Sequence, residues 1–157
     1  MVYGWTMILF LLAALIPFIF YLVTLQKALI AIAPESRMMA PAQVWLLLIP
    51  LFNIVWQFIV IKRMADSIKN ECIRLNIAIA EERPAYALGL TMTLLYLGSL
   101  VLNRNNISPL LGAICIIASF VCWIMYWLKI VGYKNLIIAN RDNFLLDIER
   151  EAMQGRG

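Results

Sequence analysis

Two amide side chains, Asn53 and Gln57, lie four residues apart inside a long uncharged stretch of this sequence. With Pro50 they share one face of a helix, because residues three and four positions apart stack on the same side. Amides can coordinate an ion or hydrogen-bond a polar solute. They supply neither a nucleophile nor a proton-transfer group, so the stripe indicates binding or passage rather than a reaction.

Three hydroxyl-bearing side chains from later in the chain could join this stripe. In a functional interpretation, Asn53 and Gln57 line a central cleft with Thr93, Tyr96 and Ser119 that accepts a small polar solute, a quinone or a lipid headgroup; with Pro50 these are the candidate residues. A structural interpretation competes with it, since interhelical polar contacts contribute only about 0.6 kcal/mol on average and commonly just fix helix packing. The sequence leaves both interpretations open.

Few residues of this sequence could support metal binding, disulfide formation or proton transfer. The sequence contains no histidine, and its cysteines, Cys72, Cys115 and Cys122, form no Cys-x-x-Cys pair. Seven helical residues separate Cys115 from Cys122 by about 10 Å, beyond disulfide reach. We therefore expect no metal site, cofactor or disulfide, and no catalytic residue. Proton-coupled transport is disfavoured because no titratable carboxylate, lysine or histidine lies inside an apolar stretch.

The charged residues are segregated along the chain. Residues 1–26, 38–61, 84–103 and 105–128 contain no Asp, Glu, Lys or Arg, although the whole sequence has 22 of them. A charge at the bilayer centre costs roughly 2.5 to 3.5 kcal/mol on insertion scales, and about 20 apolar residues span a membrane as a helix. The hydrophobic content of 64% also exceeds that of soluble domains.

These observations predict an all-α fold, a transmembrane bundle of four helices in one domain, 1–157. The expected spans are 3–25, 43–62, 85–103 and 108–129. The second helix should extend into the cytoplasm through the loop 63–84, and the tail 132–157 should form an amphipathic helix. A cleaved signal peptide is the alternative for the first stretch, but no basic residue precedes its apolar run.

Basic residues give the expected orientation. Four spans leave only Lys27, Arg37 and Arg104 on one side and the other ten basic residues opposite, so both termini should be cytoplasmic. The net charge of +4 then reflects orientation, because acidic residues largely offset the cytoplasmic basic ones. We expect the lipid bilayer as a partner and no nucleic acid.

Small residues predict how the last two spans pack. Ala85, Gly89 and Thr93 recur every four residues, which permits close helix contact. The fourth span should turn a seam of small and weakly polar residues inward: Gly112, Cys115, Ser119, Cys122 and Tyr126. Its bulky face, consisting of Ile116, Phe120, Trp123 and Trp127, should meet lipid.

One segment carries a family resemblance. Trp45-x4-Pro50-x2-Asn53, followed by Trp56-Gln57-Phe58 and Ala65-Asp66-Ser67, resembles a widespread group of small bacterial multi-span membrane proteins of unknown function. The resemblance covers most of the chain. It implies a bacterial inner-membrane location and supplies no activity, substrate or catalytic residue.

The sequence thus predicts a non-enzymatic inner-membrane protein that acts as a scaffold or assembly subunit, forming a homo-oligomer or binding a membrane protein partner. Mixed charge and amphipathic segments concentrated on the cytoplasmic side favour this role. The alternative is a channel, a transporter or a lipid- or quinone-binding protein that uses the Asn53 and Gln57 stripe.

Overall fold

The structure is a computed structural model that describes residues 2–105 and 108–154, without the side chains of residues 2–5, 7–12, 14, 147, 149, 151 and 152. Four α-helices make up most of it: α1 Val2–Ala31, α2 Phe52–Arg74, α3 Tyr86–Arg104 and α4 Pro109–Gln154. Two 3-10 helices, Pro34–Ser36 and Pro41–Leu48, lie between α1 and α2. No strand occurs in these ranges, so the all-α class is confirmed.

The second uncharged stretch departs from the expected single helix. Its first part is the 3-10 helix Pro41–Leu48, which ends at a turn where Leu51 has a positive φ of 67°, and α2 then begins. Pro50 explains the break, because it has no N–H and disfavours a helical conformation at Ile49. We call residues 41–61 the re-entrant hairpin, since its two arms pack against each other.

The second helix does continue beyond its apolar part, as predicted. It runs without interruption through Lys62 to Arg74, and its buried residues there recur at helical spacing: Met64, Ala65, Ser67, Ile68, Glu71 and Cys72. This spacing is the amphipathic pattern that the sequence indicated, with one face covered by the rest of the protein.

Helices α3 and α4 form the predicted antiparallel hairpin. Gly89 near the start of α3 lies against Tyr126, and Asn103 near its end lies against Gly112. The small-residue seam of α4 faces α3, as expected. The predicted tight turn includes residues 106 and 107, which lie outside the described residues.

Helix α1 runs parallel to α4. The Tyr21 ring of α1 contacts Trp123 and Trp127 of α4. Further along, Ala33, just after α1, lies beside Glu71. Glu71 pairs with Arg74, which lies over Phe144 of α4. Both helices therefore advance towards the same end of the molecule. We call this the charged end; it comprises residues 27–31 at the end of α1 and residues 33–40, 62–83 and 129–154.

Charge is strongly polarised between the two ends. Of the twelve lysines and arginines among the described residues, only Arg104 lies at the opposite end, beside the turn between α3 and α4. The other eleven belong to the charged end. Folding back of residues 41–61 brings Lys27 and Arg37 to the same end as the loop 62–83.

A compact core lies just inside the charged end. It joins the second half of α1, both arms of the re-entrant hairpin, α2 and the middle of α4. Its fully buried side chains include Leu22, Leu25, Leu29, Ile32, Leu47, Ile61, Met64, Ile68, Ile130 and Ile137. This region packs as the interior of a soluble domain does.

Within the described ranges, two helices are long and apolar enough to cross a membrane: Tyr86–Arg104 and the run Pro109–Leu146 of α4. A shorter apolar run, Leu15–Ala31, lies in α1. Only 11% of the most apolar stretch of α4 is buried, so this helix is not the covered core helix of a soluble protein. Its exposed side chains include Leu110, Ile114, Ile117, Phe120, Val121 and Leu128.

Helix α4 is far longer than one membrane crossing. Its 46 residues extend about 69 Å, against a hydrocarbon core of about 30 Å. The predicted tail helix is therefore not a separate element, because the helix passes through Gly132 unbroken to Gln154. The chain end at 155–157, where fraying was expected, lies outside the described residues.

Candidate functional site

The structure places the six candidate residues in different surroundings. Thr93 donates a hydrogen bond to the carbonyl of Gly89 one turn earlier, at 2.9 Å. Ser119 of α4 donates to the carbonyl of Met92 in α3, at 2.8 Å. Both hydroxyls are thus used by backbone groups, and the Ser119 bond joins the two helices directly.

The other four candidate residues differ in exposure. Tyr96 is 49% exposed on α3, and Pro50 is exposed at the tip of the re-entrant hairpin. Asn53 and Gln57 are half-buried on α2. Helical spacing within one segment could not reveal these differences, because the segments are packed by tertiary contacts. That the six residues line one cleft stays a prediction.

An aromatic cluster that the sequence analysis missed lies beside Gln57. Tyr21 and Tyr126 are both 1% exposed, and their ring centroids are 6.3 Å apart. Trp123 and Trp127 contact the Tyr21 ring at 5.3 and 6.1 Å. The expectation that these tryptophans meet lipid was wrong, because they pack against α1, whereas Ile116 and Phe120 are exposed as predicted.

The hydroxyls of Tyr21 and Tyr126 are buried without a hydrogen-bond partner among the described residues. The Gln57 side chain lies near the Tyr21 hydroxyl without reaching hydrogen-bond geometry. A buried polar group without a partner costs about 1 to 3 kcal/mol. This pair is thus a weak point of an otherwise satisfied core.

Indole and amide groups fix the re-entrant hairpin to its neighbours. The indole N–H of Trp45 donates to Gln26 Oε1 of α1 at 2.9 Å, and that of Trp56 donates to the Gln43 carbonyl across the hairpin at 2.9 Å. Both bonds satisfy polar groups next to apolar surroundings. They indicate a structural role for the Trp45-x4-Pro50-x2-Asn53 segment.

A buried ion pair lies at the end of α2, beside the loop after α1. The fully buried Glu71 carboxylate accepts two hydrogen bonds from Arg74, at 2.6 and 3.0 Å, and Arg74 also lies over the Phe144 ring of α4. Asn70 and Ser67 of α2 bond to the loop through the Ser36 carbonyl and the Met38 N–H. Three separate parts of the chain, the loop, α2 and α4, therefore meet here.

Electrostatics in this ion pair favour the ionised carboxylate. Burial raises the pKa of Glu71, but hydrogen bonds from Arg74, Ser36 and the Ala33 backbone outweigh it, and the net pKa lies below the ordinary value. Burial, followed by the neighbouring Glu71 charge, raises the pKa of the Cys72 thiol. Cys72 is therefore an unreactive core residue.

A second ion pair closes the start of α3. Glu81 accepts a hydrogen bond from the Ala85 N–H at 3.0 Å and pairs with Lys129 of α4. The hydrogen bonds from Lys129 and Ala85 lower the pKa of Glu81 despite some opposing burial. Glu81 thus bonds to the residue just before α3, whose first turn contains no acidic residue, and Asp66 pairs with Arg83 nearby at 3.9 Å.

An open cavity of about 430 Å³ lies at the charged end, between the loop after α1 and α2. Arg37 and Arg63 are its two cationic side chains, and Gln43 adds an amide. The remaining lining residues are Pro34, Met38, Met39, Ala40 and Pro41. In the part of the chain that the structure describes, no acidic side chain lines this cavity.

The described residues contain no group of three or more His, Cys, Asp or Glu side chains that could hold a metal ion. No family model matches the chain, and comparisons with curated proteins and with solved structures likewise find no match.

Proposed function

We propose that this protein is a non-enzymatic membrane scaffold that crosses a bacterial inner membrane three times. It self-associates through residues 138–154, which we call the far part of α4. The observation that carries the proposal is the unbroken length of α4, whose last part extends well beyond one membrane thickness. Apolar side chains remain exposed on that part: Ile138, Leu145, Leu146, Ile148 and Met153.

Helix lengths support three crossings. Tyr21, Gly89 and Tyr126 lie at one level, because their side chains or backbones contact one another or shared neighbours. From that level to the opposite end, α1 and α4 each provide about 18 residues or about 27 Å, close to the 30 Å hydrocarbon thickness. The aromatic cluster then lies near one membrane interface.

The re-entrant hairpin supports the same arrangement. Ile61 contacts Gly89 at this interface level, and Phe52 lies nine helical residues away, so the tip reaches about 13 Å into the membrane. Exposed apolar residues surround the tip, and Leu51 is 86% exposed. The segment therefore enters and leaves on the same side instead of crossing.

Charge distribution favours three crossings over four. Four spans would place Lys27 and Arg37 with Arg104, giving three basic residues on that side. With three crossings, Arg104 alone is separated from the other basic residues among the described ranges. By the positive-inside rule the charged end is cytoplasmic and the start of α1 lies outside.

Self-association follows from the shape of the far part of α4. Ile138, Leu145 and Ile148 form one stripe at seven- and three-residue spacing, the pattern that packs two helices side by side. Two copies inserted in one membrane necessarily present these helices in parallel. Arg141, three residues after Ile138 and four before Leu145, lies within this stripe, and Asp142 lies at its border, so that their opposite charges allow pairing between copies.

The alternative, a channel, a transporter or a lipid- or quinone-binding cleft around Asn53 and Gln57, has less support. The Thr93 and Ser119 hydroxyls already bond to backbone carbonyls, and Tyr96 faces outwards. Half-buried amides on one helix then serve packing beside the hairpin turn.

Labelling with a membrane-impermeant thiol reagent tests the crossings. Cysteines introduced as Glu35→Cys and Glu82→Cys should be modified from the same side, and Asn105→Cys from the opposite side. Cys72 is buried and does not interfere. Modification of Glu35→Cys together with Asn105→Cys would instead establish four spans and contradict the proposal.

Light scattering in detergent tests the self-association. The 17.9 kDa chain should give a protein mass of two or more copies, and Leu145→Glu should reduce it to one copy. Asn143→Glu, on the opposite side of the same helix, is the matched control and should leave the assembly intact. A monomeric wild-type protein, or equal dissociation by both variants, would exclude this scaffold.

A further inference from the structure

We infer that the open cavity between Arg37 and Arg63 binds the phosphate group of an anionic phospholipid from the cytoplasmic leaflet. The inference rests on the proposed three-crossing topology, which sets the depth of the cavity. It goes beyond self-association, because it assigns a ligand to a surface that no residue of α4 lines.

Arg63 is the principal cation of the cavity. It is half-buried on α2, and no acidic partner pairs with it among residues 2–105 and 108–154. The other buried cation of this region, Arg74, is neutralised by Glu71. A half-buried guanidinium without a counterion favours an external anion, and its planar fork fits a phosphate through two parallel hydrogen bonds.

Arg37 is held in a fixed position on the opposite wall. Its Nε donates to the Ile32 carbonyl at 2.8 Å, and one terminal nitrogen donates to the Ile30 carbonyl at 3.0 Å. These bonds cap the last turn of α1 and leave the second terminal nitrogen for another acceptor. Because the guanidinium is already ordered, little side-chain entropy is lost when an anion binds.

Ser67 keeps the two walls together. Its hydroxyl donates to the Arg63 carbonyl at 2.6 Å and accepts a hydrogen bond from the Met38 N–H at 2.8 Å. Ser67 is completely buried. The backbone of Arg63 and the loop that carries Arg37 are therefore joined through one side chain, so the cavity is a built feature of the fold.

The depth of the cavity identifies a lipid as the source of the phosphate. Arg63 follows Ile61 by two residues, and Ile61 lies at the proposed membrane interface. The remaining walls are mainly apolar, with Met38 51% exposed and Pro34 and Pro41 beside it. A cationic centre with apolar borders at headgroup depth suits a phosphate attached to a glycerol backbone and acyl chains.

The experiment measures lipid retention by the purified full-length protein in neutral detergent. Native mass spectrometry counts bound molecules after addition of dioleoyl phosphatidylglycerol or dioleoyl phosphatidylcholine. We expect preferential retention of phosphatidylglycerol and about a tenfold weaker affinity for it in Arg63→Gln. Arg63→Lys keeps the charge without the fork and should bind phosphatidylglycerol with intermediate affinity.

Lys62→Gln is the matched control, since it removes a neighbouring exposed cation that does not line the cavity. It should retain phosphatidylglycerol as the wild type does. Equal losses in Arg63→Gln and Lys62→Gln would overturn the site in favour of general charge attraction. Occupation of the cavity by inorganic phosphate at the same concentration would overturn the lipid assignment.

The lipid readout is independent of the proposed assembly. Arg63→Gln should leave the protein mass in light scattering unchanged, and Leu145→Glu should leave phosphatidylglycerol retention unchanged. A monomeric protein that still retains this lipid through Arg63 would therefore refute self-association alone. A stable oligomer with no lipid preference would refute the cavity alone.

Discussion

Leu29 lies fully buried in the hydrophobic core, whereas Ile117 on α4 is 66% exposed although its side chain is just as apolar. Both side chains belong to apolar helical runs, Leu15–Ala31 and Pro109–Leu146. The difference is the surroundings: protein packs against Leu29, and the proposed bilayer covers Ile117. Composition alone therefore does not separate the core near the charged end from the membrane-facing helices.

The two regions also differ in their polar contacts. Near the charged end, Ser67 bonds the loop after α1 to α2, and Glu81 bonds the segment before α3 to α4, while Glu71 holds Arg74 beside α4. Towards the opposite end, the Ser119 hydroxyl provides an interhelical bond in a largely apolar contact. We therefore expect the charged end to determine stability and the membrane-facing half to tolerate substitution.

The largest contrast should come from shortening one side chain in each region. Leu29→Ala leaves a cavity in a packed core and should lower the free energy of unfolding by about 2 to 5 kcal/mol. Ile117→Ala should change it by about 0.5 kcal/mol or less, because lipid fills the space. Unfolding in mixed micelles, followed by tryptophan fluorescence, measures both; equal losses would abolish the distinction.

Two glycines of α3 sharpen the comparison within one helix. A Cβ at Gly89 would approach Ile61 to 2.7 Å, whereas one at Gly98 meets nothing within 4 Å. Gly89→Ala should cost about 1 to 3 kcal/mol through overpacking. Gly98→Ala should be neutral or stabilise by up to about 1 kcal/mol, because alanine favours helix. The same unfolding assay checks both variants. A destabilised Gly98→Ala would indicate that another group packs against Gly98 and would contradict the contrast.

Acid should weaken the charged end selectively. The pKa of Glu71 is lowered in the folded protein, so its contribution to stability is present above the unfolded pKa of about 4.5 and is lost as pH falls through the folded pKa. The melting temperature of the wild type should thus fall more steeply below pH 4.5 than that of Glu71→Gln.

Glu82→Gln is the control for this pH dependence, because Glu82 is exposed and outside the Glu71 cluster. It should follow the wild-type profile. A Glu71→Gln profile parallel to that of the wild type would show that the buried carboxylate does not couple folding to pH.

The smallest effect should come from the interhelical bond of the membrane-facing half. Ser119→Ala removes the bond to Met92 and should lower the free energy of unfolding by about 0.6 kcal/mol, the average for such contacts in membranes. Ile116→Val on the exposed face is the control, with no measurable change. A loss as large as that of Leu29→Ala would mean that Ser119 anchors the whole hairpin.

Periodicity predicted individual helices well and their neighbours poorly. The extension of α2 through Cys72, and the inward seam of Gly112 and Ser119, followed from spacing because burial along one helix obeys its own period. The contact of Trp123 with Tyr21 did not follow, since two residues about 100 positions apart meet only when α1 packs beside α4.

The candidate site shows the same limit. Asn53 and Gln57 were visible as polar residues in an apolar stretch, but their separation from Tyr96 depends on how α2 and α3 are rotated. Arg63 and Arg37 gave no local signal, because a lysine or arginine near an apolar boundary is ordinary in sequence. Only the loop held by Ser67 brings the two guanidinium groups to one cavity.

The sequence by itself determined that the chain is helical, that its apolar helices alternate with charged segments, and that most positive charge collects together. These properties follow from the cost of placing ions in apolar surroundings, which each segment meets on its own. The tertiary structure decided that residues 41–61 fold back and that α1 runs parallel to α4. Those choices depend on distant partners such as Trp45 with Gln26, whose pairing no local pattern encodes.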